Sequence, residues 1–314
     1  MVRNRIGAAV AALIVVACLW SGTAVAAQAG VSVRAAPTRS NDLWAGPGPY
    51  SVTSNSRSDS VGVLAGPLRA LLGTDNVEWP QDLAFVPTQF FYPDDPASLE
   101  RPLPLVVWGN GSGAVPSFYA PLLRHLASYG FVVAASASPM PAFGVSMNLS
   151  LIQADLANAD PASPLFGRID TARVAAVGHS AGGQGALNMA ANPRVTSTLA
   201  IQPGPLTLPP LVRSQTLIVG GDRDWIVPWF LWPQLDFRGN PNPTYLAVGR
   251  GVGHFDTLDH DPSGPLWGVS TAWLLHTLRG DPDAGRFFVG ENWLLPGDPD
   301  FSVVERNARA AGIR

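Results

Sequence analysis

The chain has 314 residues, a formal net charge of −3 and only 14% charged residues, with 32 glycines and 30 prolines. This composition excludes a coiled coil or a wholly disordered protein and is typical of a compact, loop-rich domain. The mildly acidic balance argues against nucleic-acid binding.

The first 26 residues have the pattern of a secretory signal peptide. Arg3 and Arg5 form a basic start, and a mostly apolar stretch over 6–20 is too short to span a bilayer comfortably. Small residues at 24–26 follow as an A-x-A cleavage site. We therefore expect cleavage after Ala26 and secretion of the remaining chain.

Two alternatives to free secretion remain open at this stage. Residues 15–18 resemble a lipobox, in which Cys18 would be lipidated and anchor the protein, and an uncleaved membrane anchor is the other. Cleavage after Ala26 leaves 288 residues with a net charge of −5 and without Cys18, the single cysteine of the chain. The mature protein then has no disulfide and no cysteine metal site.

Apolar strands alternate with helices along most of the remaining chain, which predicts a mostly parallel sheet with helices on both faces. We expect 27–45 to be a flexible lead-in and 46–314 a single domain, with the tail from residue 280 packed on it. Residues 51–80 have no clear assignment. The strands predicted are a pair within 85–92, then 103–108, 131–135, 173–177, 198–201, 216–219 and 244–248. The helices predicted are 116–129, 147–159, 184–191 and 266–278.

The segment 178–182, Gly-His-Ser-Ala-Gly, is the most informative motif in the chain. It lies between a predicted strand and a predicted helix, where a G-x-S-x-G sequence forms a sharp turn that exposes one serine hydroxyl. Gly178 and Gly182 meet the need for small residues beside that turn. Ser180 is therefore the candidate nucleophile.

A serine nucleophile needs a base, and the base needs an acidic partner; on parallel α/β sheets the chain order is serine, acid, histidine. Asp222 and Asp224 both follow the strand at 216–219, and we favour Asp224 because a D-x-x-V-P pattern places it before a proline-started helix. Asp222 is expected to be a turn carboxylate. The alternative is that Asp222 and Asp224 are both solvated loop residues without a catalytic role.

His254 is the candidate base because its glycine-rich loop follows the strand at 244–248. His260 is the fallback. His125 and His276 lie in predicted helices and are expected to be packing residues, while His179 is expected to support the turn beside the serine.

Two backbone N–H groups are needed to stabilise the oxyanion that develops during acyl transfer. One is expected from Ala181, directly after the candidate nucleophile. The other is expected from the loop 109–113, with Asn110 preferred and Gly111 as the alternative. Trp225, Trp229 and Phe230, just past the acid, are candidates for an apolar acyl pocket, although each is equally explained as a core residue.

Several of these segments together resemble the α/β-hydrolase lineage of bacterial cutinases, polyester (PET) hydrolases and platelet-activating-factor acetylhydrolase-like esterases. The resemblance runs from about 102 to 276 and rests on 105–110, 126–133, 170–174, 178–183, 224–228 and 251–254. The separations of 44 residues from Ser180 to Asp224 and 30 from Asp224 to His254 are similar to that lineage. It implies ester hydrolysis by a Ser–Asp–His triad without metal or cofactor.

The sequence also departs from this lineage. The oxyanion loop has Trp108-Gly-Asn110 instead of P-G-aromatic, the segment 201–205 lacks the tryptophan common in polyester hydrolases, and the family's C-terminal disulfide cannot form. These departures weaken the expectation of polymer hydrolysis and leave ester chemistry intact.

The sequence therefore predicts a secreted serine carboxylic-ester hydrolase, lipase- or cutinase-like, with an α/β-hydrolase fold and no large lid. Acyl transfer with the same residues and a non-catalytic binding module on this fold are the alternatives. The expected partner is an ester substrate, small or lipidic and possibly polymeric. Neither nucleic acid nor a partner protein is implied, and we expect a monomer.

Overall fold

The computed structural model describes residues 38–55, 87–99, 101–258 and 264–313. The predicted signal peptide, Cys18 and the fallback base His260 lie outside the described residues. Within the described residues, no helix is both long and apolar enough to cross a membrane.

The strands of the described residues are β1 Val52–Ser54, β2 Thr88–Pro93, β3 Leu103–Gly109, β4 Val132–Ser136, β5 Ile169–His179, β6 Val195–Ile201, β7 Gln215–Gly221, β8 Thr244–Gly249 and β9 Phe301–Arg306. They form one sheet in the order β1-β2-β4-β3-β5-β6-β7-β8-β9. Strands β3 to β8 are mutually parallel, while β1, β2 and β9 pair antiparallel at the two edges.

Helices cover both faces of this sheet. The α-helices of the described residues are α1 Ser40–Trp44, α2 Ala120–Ser128, α3 Val145–Ala159, α4 Ala181–Met189, α5 Trp232–Gly239, α6 Leu266–Leu274, α7 Pro282–Gly285 and α8 Ala308–Ala311. One face carries α1, α2 and α6, and the other carries α3, α4 and α5. The predicted α/β-hydrolase fold with a mostly parallel sheet is confirmed.

The strand β3 shows why these sequences form a doubly covered sheet. Val106 and Trp108 pack into the core on the α2 and α6 side, and Leu105 and Val107 into the core on the α3 and α4 side. All four side chains are fully buried, because successive residues of a strand point to opposite faces and both faces are covered. This burial on both faces explains why the sequence of β3 is continuously apolar instead of alternating between apolar and polar residues.

Four differences from the sequence-based expectations concern the edges and ends. The described part of 85–92 contains one strand, β2, whose antiparallel partners are β1 and β4. The prediction of a strand pair within this segment is therefore wrong. The helix after the candidate acid begins at Trp232 with Pro233 in its first turn, not at Pro228. The final predicted helix ends as an α-helix at Leu274 and continues as a π-helical turn, Leu275–Arg279.

The fourth difference is the extent of the folded domain at its N-terminal end. Residues 40–44, predicted within the lead-in, form α1, and Ser40 donates two hydrogen bonds of 2.7 Å to the buried Asp298 carboxylate. The tail packs on the domain as expected, and its strand β9 extends the sheet beside β8. A contact between residues 258 positions apart carries no local sequence signal.

Asp236 on α5 is a buried carboxyl group that makes stability depend on pH. Its Oδ1 accepts a hydrogen bond from the Thr207 hydroxyl, and its Oδ2 has no hydrogen-bond partner among the described residues. Burial raises the pKa of Asp236 from 3.8 to about 7. Because the folded-state pKa lies above the unfolded value, this group favours folding most below about pH 4, and stability falls as the pH rises towards 7.

We therefore expect Asp236→Asn to stabilise the protein at pH 8 by on the order of 2 to 4 kcal/mol relative to wild type, with little difference near pH 4. Asparagine keeps the shape and the acceptor for Thr207 and removes the buried charge. Urea denaturation at both pH values measures the difference. A pH-independent effect of the substitution would contradict this account.

Candidate active site

Ser180 lies at the sharp turn between β5 and α4, at the carboxyl end of the parallel sheet. Its backbone has φ +57° and ψ −117°, a strained conformation for a residue with a side chain, and its N–H donates to Ile201 O at 2.9 Å. A Cβ added at Gly178 would lie 2.3 Å from Gly182 O, and one added at Gly182 would lie 1.9 Å from Gly109 O. The glycines of the motif are therefore required by the close approach of three backbone segments.

His254 lies between Ser180 and Asp224 and contacts both. Its Nε2 is 3.0 Å from Ser180 Oγ, and its Nδ1 is 2.8 Å from Asp224 Oδ2. The Asp224 carboxylate is buried, and its Oδ1 accepts the backbone N–H groups of Ile226 at 2.9 Å and Val227 at 2.8 Å. The second oxygen is thereby directed towards the imidazole. The structure brings the three predicted residues together, and Ser180 remains half-exposed among the described residues.

Asp222, the competing acid, has a different position. Its Oδ1 accepts the Gly251 N–H at 2.7 Å, and the residue is exposed. It joins the loop after β7 to the loop that carries His254, without a hydrogen bond to the imidazole. This is the turn role expected for it.

The loop 109–113, which we call the oxyanion loop, lies directly beside Ser180. A Cβ added at Gly111 would be 3.6 Å from Ser180 Cβ. The Gly111 N–H donates to the Tyr119 hydroxyl at 2.9 Å, so it is not free to bind an oxyanion. Ala181 is the first residue of α4, where backbone N–H groups have no partner within the helix.

The Asn110 side chain anchors this loop from within the protein. It is fully buried; its Nδ2 donates to Ser136 O at 2.6 Å, and its Oδ1 accepts from Trp108 Nε1 at 3.1 Å. The amide side chain is thus engaged away from Ser180. Any contribution of Asn110 to an oxyanion site comes from its backbone N–H.

Two buried residues near the site had no role in the sequence-based prediction. Gln202, directly after β6, has φ +46° and no exposed surface, and its Nε2 donates to Gly253 O at 2.8 Å. Tyr119 bonds the neighbouring His179 at 2.8 Å between its hydroxyl and Nδ1. Neither residue belongs to a recognisable motif, and the contacts span 51 and 60 positions, so only a structure identifies them.

The aromatic residues predicted for an acyl pocket differ in exposure. Trp225 is 87% exposed beside Asp224, while Trp229 is half-buried against Gly220 of β7. Phe230 is exposed and its ring meets the Trp229 ring edge-on. Trp225 and Phe230 are thus available to a ligand, and Trp229 is mainly a packing residue.

Exposed apolar side chains are concentrated in the loops at the carboxyl ends of β3 to β8, the end of the sheet where Ser180 lies. Large exposed apolar patches are uncommon on monomeric soluble domains and mark sites of binding. The large exposed apolar residues in these loops are Phe118, Met140, Phe143, Leu206, Leu208, Leu211, Trp225, Ile226, Phe230, Leu231 and Phe255.

The other described histidines are packing residues, as expected. His125 Nε2 lies 2.8 Å from the Thr271 hydroxyl, and burial lowers the pKa of His125 to about 4. His276 stacks on Phe288, and burial likewise lowers its pKa. No group of three potential ligands that could hold a metal ion occurs among the described residues.

Comparison with known proteins identifies the family. The family profile described as PETase, PET hydrolase-like, matches residues 81–235, which include Ser180 and Asp224. A bis(hydroxyethyl) terephthalate hydrolase of Streptomyces coelicolor is 32% identical over 297 residues, covering 89% of this chain and 84% of the relative. The chain belongs to the PET hydrolase-like family. It is a carboxylic ester hydrolase, and the resemblance inferred from its motifs is confirmed.

Shorter similarities connect this PET hydrolase-like chain to cutinases. Cutinase 2 of Thermobifida cellulosilytica is 31% identical over 153 residues, 46% of this chain and 55% of the relative. Cutinase cut1 of Thermobifida fusca is 31% identical over 153 residues, 46% of this chain and 45% of the relative.

Proposed function

We propose that this chain is a secreted serine esterase in which Ser180, His254 and Asp224 form the catalytic triad. The observation that carries the proposal is the position of one imidazole, with a nitrogen 3.0 Å from the serine hydroxyl and the other 2.8 Å from a buried carboxylate. The strained backbone of Ser180 at a strand–helix turn supports the same assignment.

The chemistry follows from these contacts. His254 Nε2 accepts the Ser180 proton as Oγ attacks the ester carbonyl carbon, and the resulting imidazolium donates that proton to the leaving alcohol. A water molecule, deprotonated by the same nitrogen, then attacks the acyl-enzyme, and the imidazolium returns the proton to Ser180 Oγ as the bond to the acyl group breaks and the acid is released. Asp224 keeps Nδ1 protonated and stabilises the imidazolium. The backbone N–H groups of Asn110 and Ala181 are proposed to bind the oxyanion.

We propose an ester with an apolar acyl group as the substrate. Support comes from the exposed apolar side chains in the loops around Ser180, and from relatives named as a bis(hydroxyethyl) terephthalate hydrolase and as cutinases. An aromatic acyl group such as terephthaloyl could stack on the exposed rings of Trp225, Phe230 and Phe255, which lie in the loops that carry Asp224 and His254. The half-exposed Ser180 is consistent with substrates that reach the serine without a large lid.

Hydrolysis of p-nitrophenyl esters from C2 to C16 and of bis(hydroxyethyl) terephthalate, by wild type and Ser180→Ala, tests this proposal. Serine-dependent turnover supports it, and the chain-length optimum reports the size of the acyl site. A folded protein without turnover on any of these esters would contradict it, and so would a Ser180→Ala variant as active as wild type.

Trp225→Ala should affect large acyl groups selectively. Removing an exposed indole beside the acid takes away apolar contact area without altering the triad contacts, so we expect kcat/KM for a C8 ester to fall about 3- to 10-fold, with little change for acetate. Trp229→Phe, at a packing position, is the matched control. Equal losses on both esters would argue against a substrate-binding role for Trp225.

Export is part of the proposal and rests on the pattern of residues 1–26. Expression of the full chain in a bacterial host, followed by N-terminal mass analysis, tests it. A mature protein in the medium beginning at Ala27 supports secretion. A diacylglyceryl group on Cys18 would show an anchored lipoprotein instead.

A further inference from the structure

Three consecutive hydrogen bonds join the oxyanion loop to the loop that carries His254. The Gly111 N–H is 2.9 Å from the Tyr119 hydroxyl, this hydroxyl is 2.8 Å from His179 Nδ1, and His179 Nε2 is 2.9 Å from the His254 carbonyl oxygen. We call these three bonds the hydrogen-bond relay. The relay runs next to Ser180, because His179 directly precedes Ser180 in the turn.

The direction of these bonds follows from the chemistry of their ends. The His254 carbonyl can only accept, so His179 Nε2 carries the proton, and in a neutral imidazole Nδ1 must then accept. Tyr119 therefore donates its O–H to His179, and its oxygen accepts the Gly111 N–H. Each of these groups has a hydrogen-bond partner, and only one arrangement of protons satisfies all three bonds.

The protonation states needed for this arrangement persist at neutral pH. Burial, with a smaller contribution from the neighbouring His254, lowers the pKa of His179 to about 3. Burial raises the pKa of Tyr119 to about 12, against the lowering effect of its bond to the Gly111 backbone. His179 therefore stays neutral and Tyr119 stays protonated, so the direction of donation along the three hydrogen bonds is fixed.

We propose that Tyr119 and His179 are positioning residues that fix the oxyanion loop and the His254 backbone relative to Ser180. The inference rests on the proposed catalytic role of Ser180 and His254. By engaging the Gly111 N–H, the Tyr119 hydroxyl sets the orientation of the loop and leaves Asn110 as the loop's oxyanion donor. By holding the His254 carbonyl, His179 keeps the imidazole facing the serine. Gln202 holds the adjacent Gly253 carbonyl in the same way.

The ring and the hydroxyl of Tyr119 have separable roles. The ring is buried and packs on the Trp108 ring at 5.0 Å between centroids, a core contact that phenylalanine keeps. Tyr119→Phe therefore removes only the hydroxyl. Tyr245→Phe is the matched control, since Tyr245 is equally buried in aromatic packing and its hydroxyl has no hydrogen-bond partner among the described residues.

The experiment measures kcat, KM and the affinity for phenylboronic acid, which forms a tetrahedral serine adduct, for wild type, Tyr119→Phe and Tyr245→Phe. We expect Tyr119→Phe to lower kcat about 10- to 100-fold with KM within threefold, and to weaken boronate binding in parallel. Tyr245→Phe should match wild type in all three. A wild-type kcat for Tyr119→Phe overturns the proposal, as does an equal loss in both variants.

A double-mutant cycle tests the coupling between the two residues. His179→Gln retains a side-chain N–H donor and an acceptor, and should be less damaging than His179→Ala. If Tyr119 acts through His179, adding Tyr119→Phe to His179→Ala should lower kcat by less than it does in wild type. Independent, multiplicative losses would contradict the coupling. Ser180→Ala is measured alongside to separate this outcome from failure of the proposed function. An active Ser180→Ala variant would contradict the proposed catalytic triad. If Ser180→Ala is inactive, independent losses contradict only the positioning role of Tyr119 and His179.

Discussion

Replacing Ser180 with alanine is expected to lower kcat at least 10⁴-fold on any ester that the wild-type protein hydrolyses. In the proposed triad, Ser180 Oγ lies 3.0 Å from His254 Nε2 and is the atom that attacks the ester carbonyl carbon, and alanine leaves no nucleophile there. Binding and the oxyanion donors remain, so a small residual rate over water is expected. The substitution is small and local, and the KM and the midpoint of thermal unfolding should stay near wild type.

Initial rates on p-nitrophenyl butyrate measure this loss. Ser146→Ala is a suitable control, because it removes the hydroxyl of a buried serine that has no hydrogen-bond partner among the described residues. Retention of more than about a tenth of wild-type kcat in Ser180→Ala, with Ser146→Ala unchanged, would show that another group attacks the ester.

The second large effect is expected at Asp224. In Asp224→Asn an amide replaces the oxygen that accepts His254 Nδ1–H, so the imidazole loses its partner and its preferred tautomer. We expect kcat to fall about 10³- to 10⁴-fold. The folded structure should persist, since asparagine keeps the acceptor for the N–H groups of Ile226 and Val227.

Asp222→Asn is the matched control because it makes the same chemical change two residues away. Asparagine retains the acceptor for the Gly251 N–H, so kcat should stay within about threefold of wild type. The two variants are compared by steady-state kinetics under one set of conditions. The reverse order of effects would mean that Asp222, not Asp224, orients the histidine.

The fold could be predicted from the sequence wherever apolar strands are buried on both faces. The central strands β3 to β8 each appear as a short apolar run, because both helical layers demand apolar side chains. The edges were less predictable. Strand β9 is only partly buried, and α1 is five residues long, so β9 depends on its pairing with β8 and α1 on its hydrogen bonds to the distant Asp298.

The residues proposed to react could be predicted from the sequence, whereas the residues that hold them in place could not. Ser180 and His254 follow from a motif and a glycine-rich loop, since both need special backbone conformations that leave a local signal. The choice between Asp222 and Asp224 depended on a short pattern, although the helix-starting proline assumed in it proved to be Pro233. Tyr119 and Gln202 make their hydrogen bonds between distant segments, and a single sequence contains no record of such pairs.

The most direct test of the central claim is the site of covalent labelling by a fluorophosphonate. The account predicts one adduct per chain, located by peptide mass mapping on Ser180, formed in proportion to the loss of esterase activity and absent from Ser180→Ala. A fully inhibited enzyme labelled at another residue, or an active and folded enzyme that takes up no label, would contradict it.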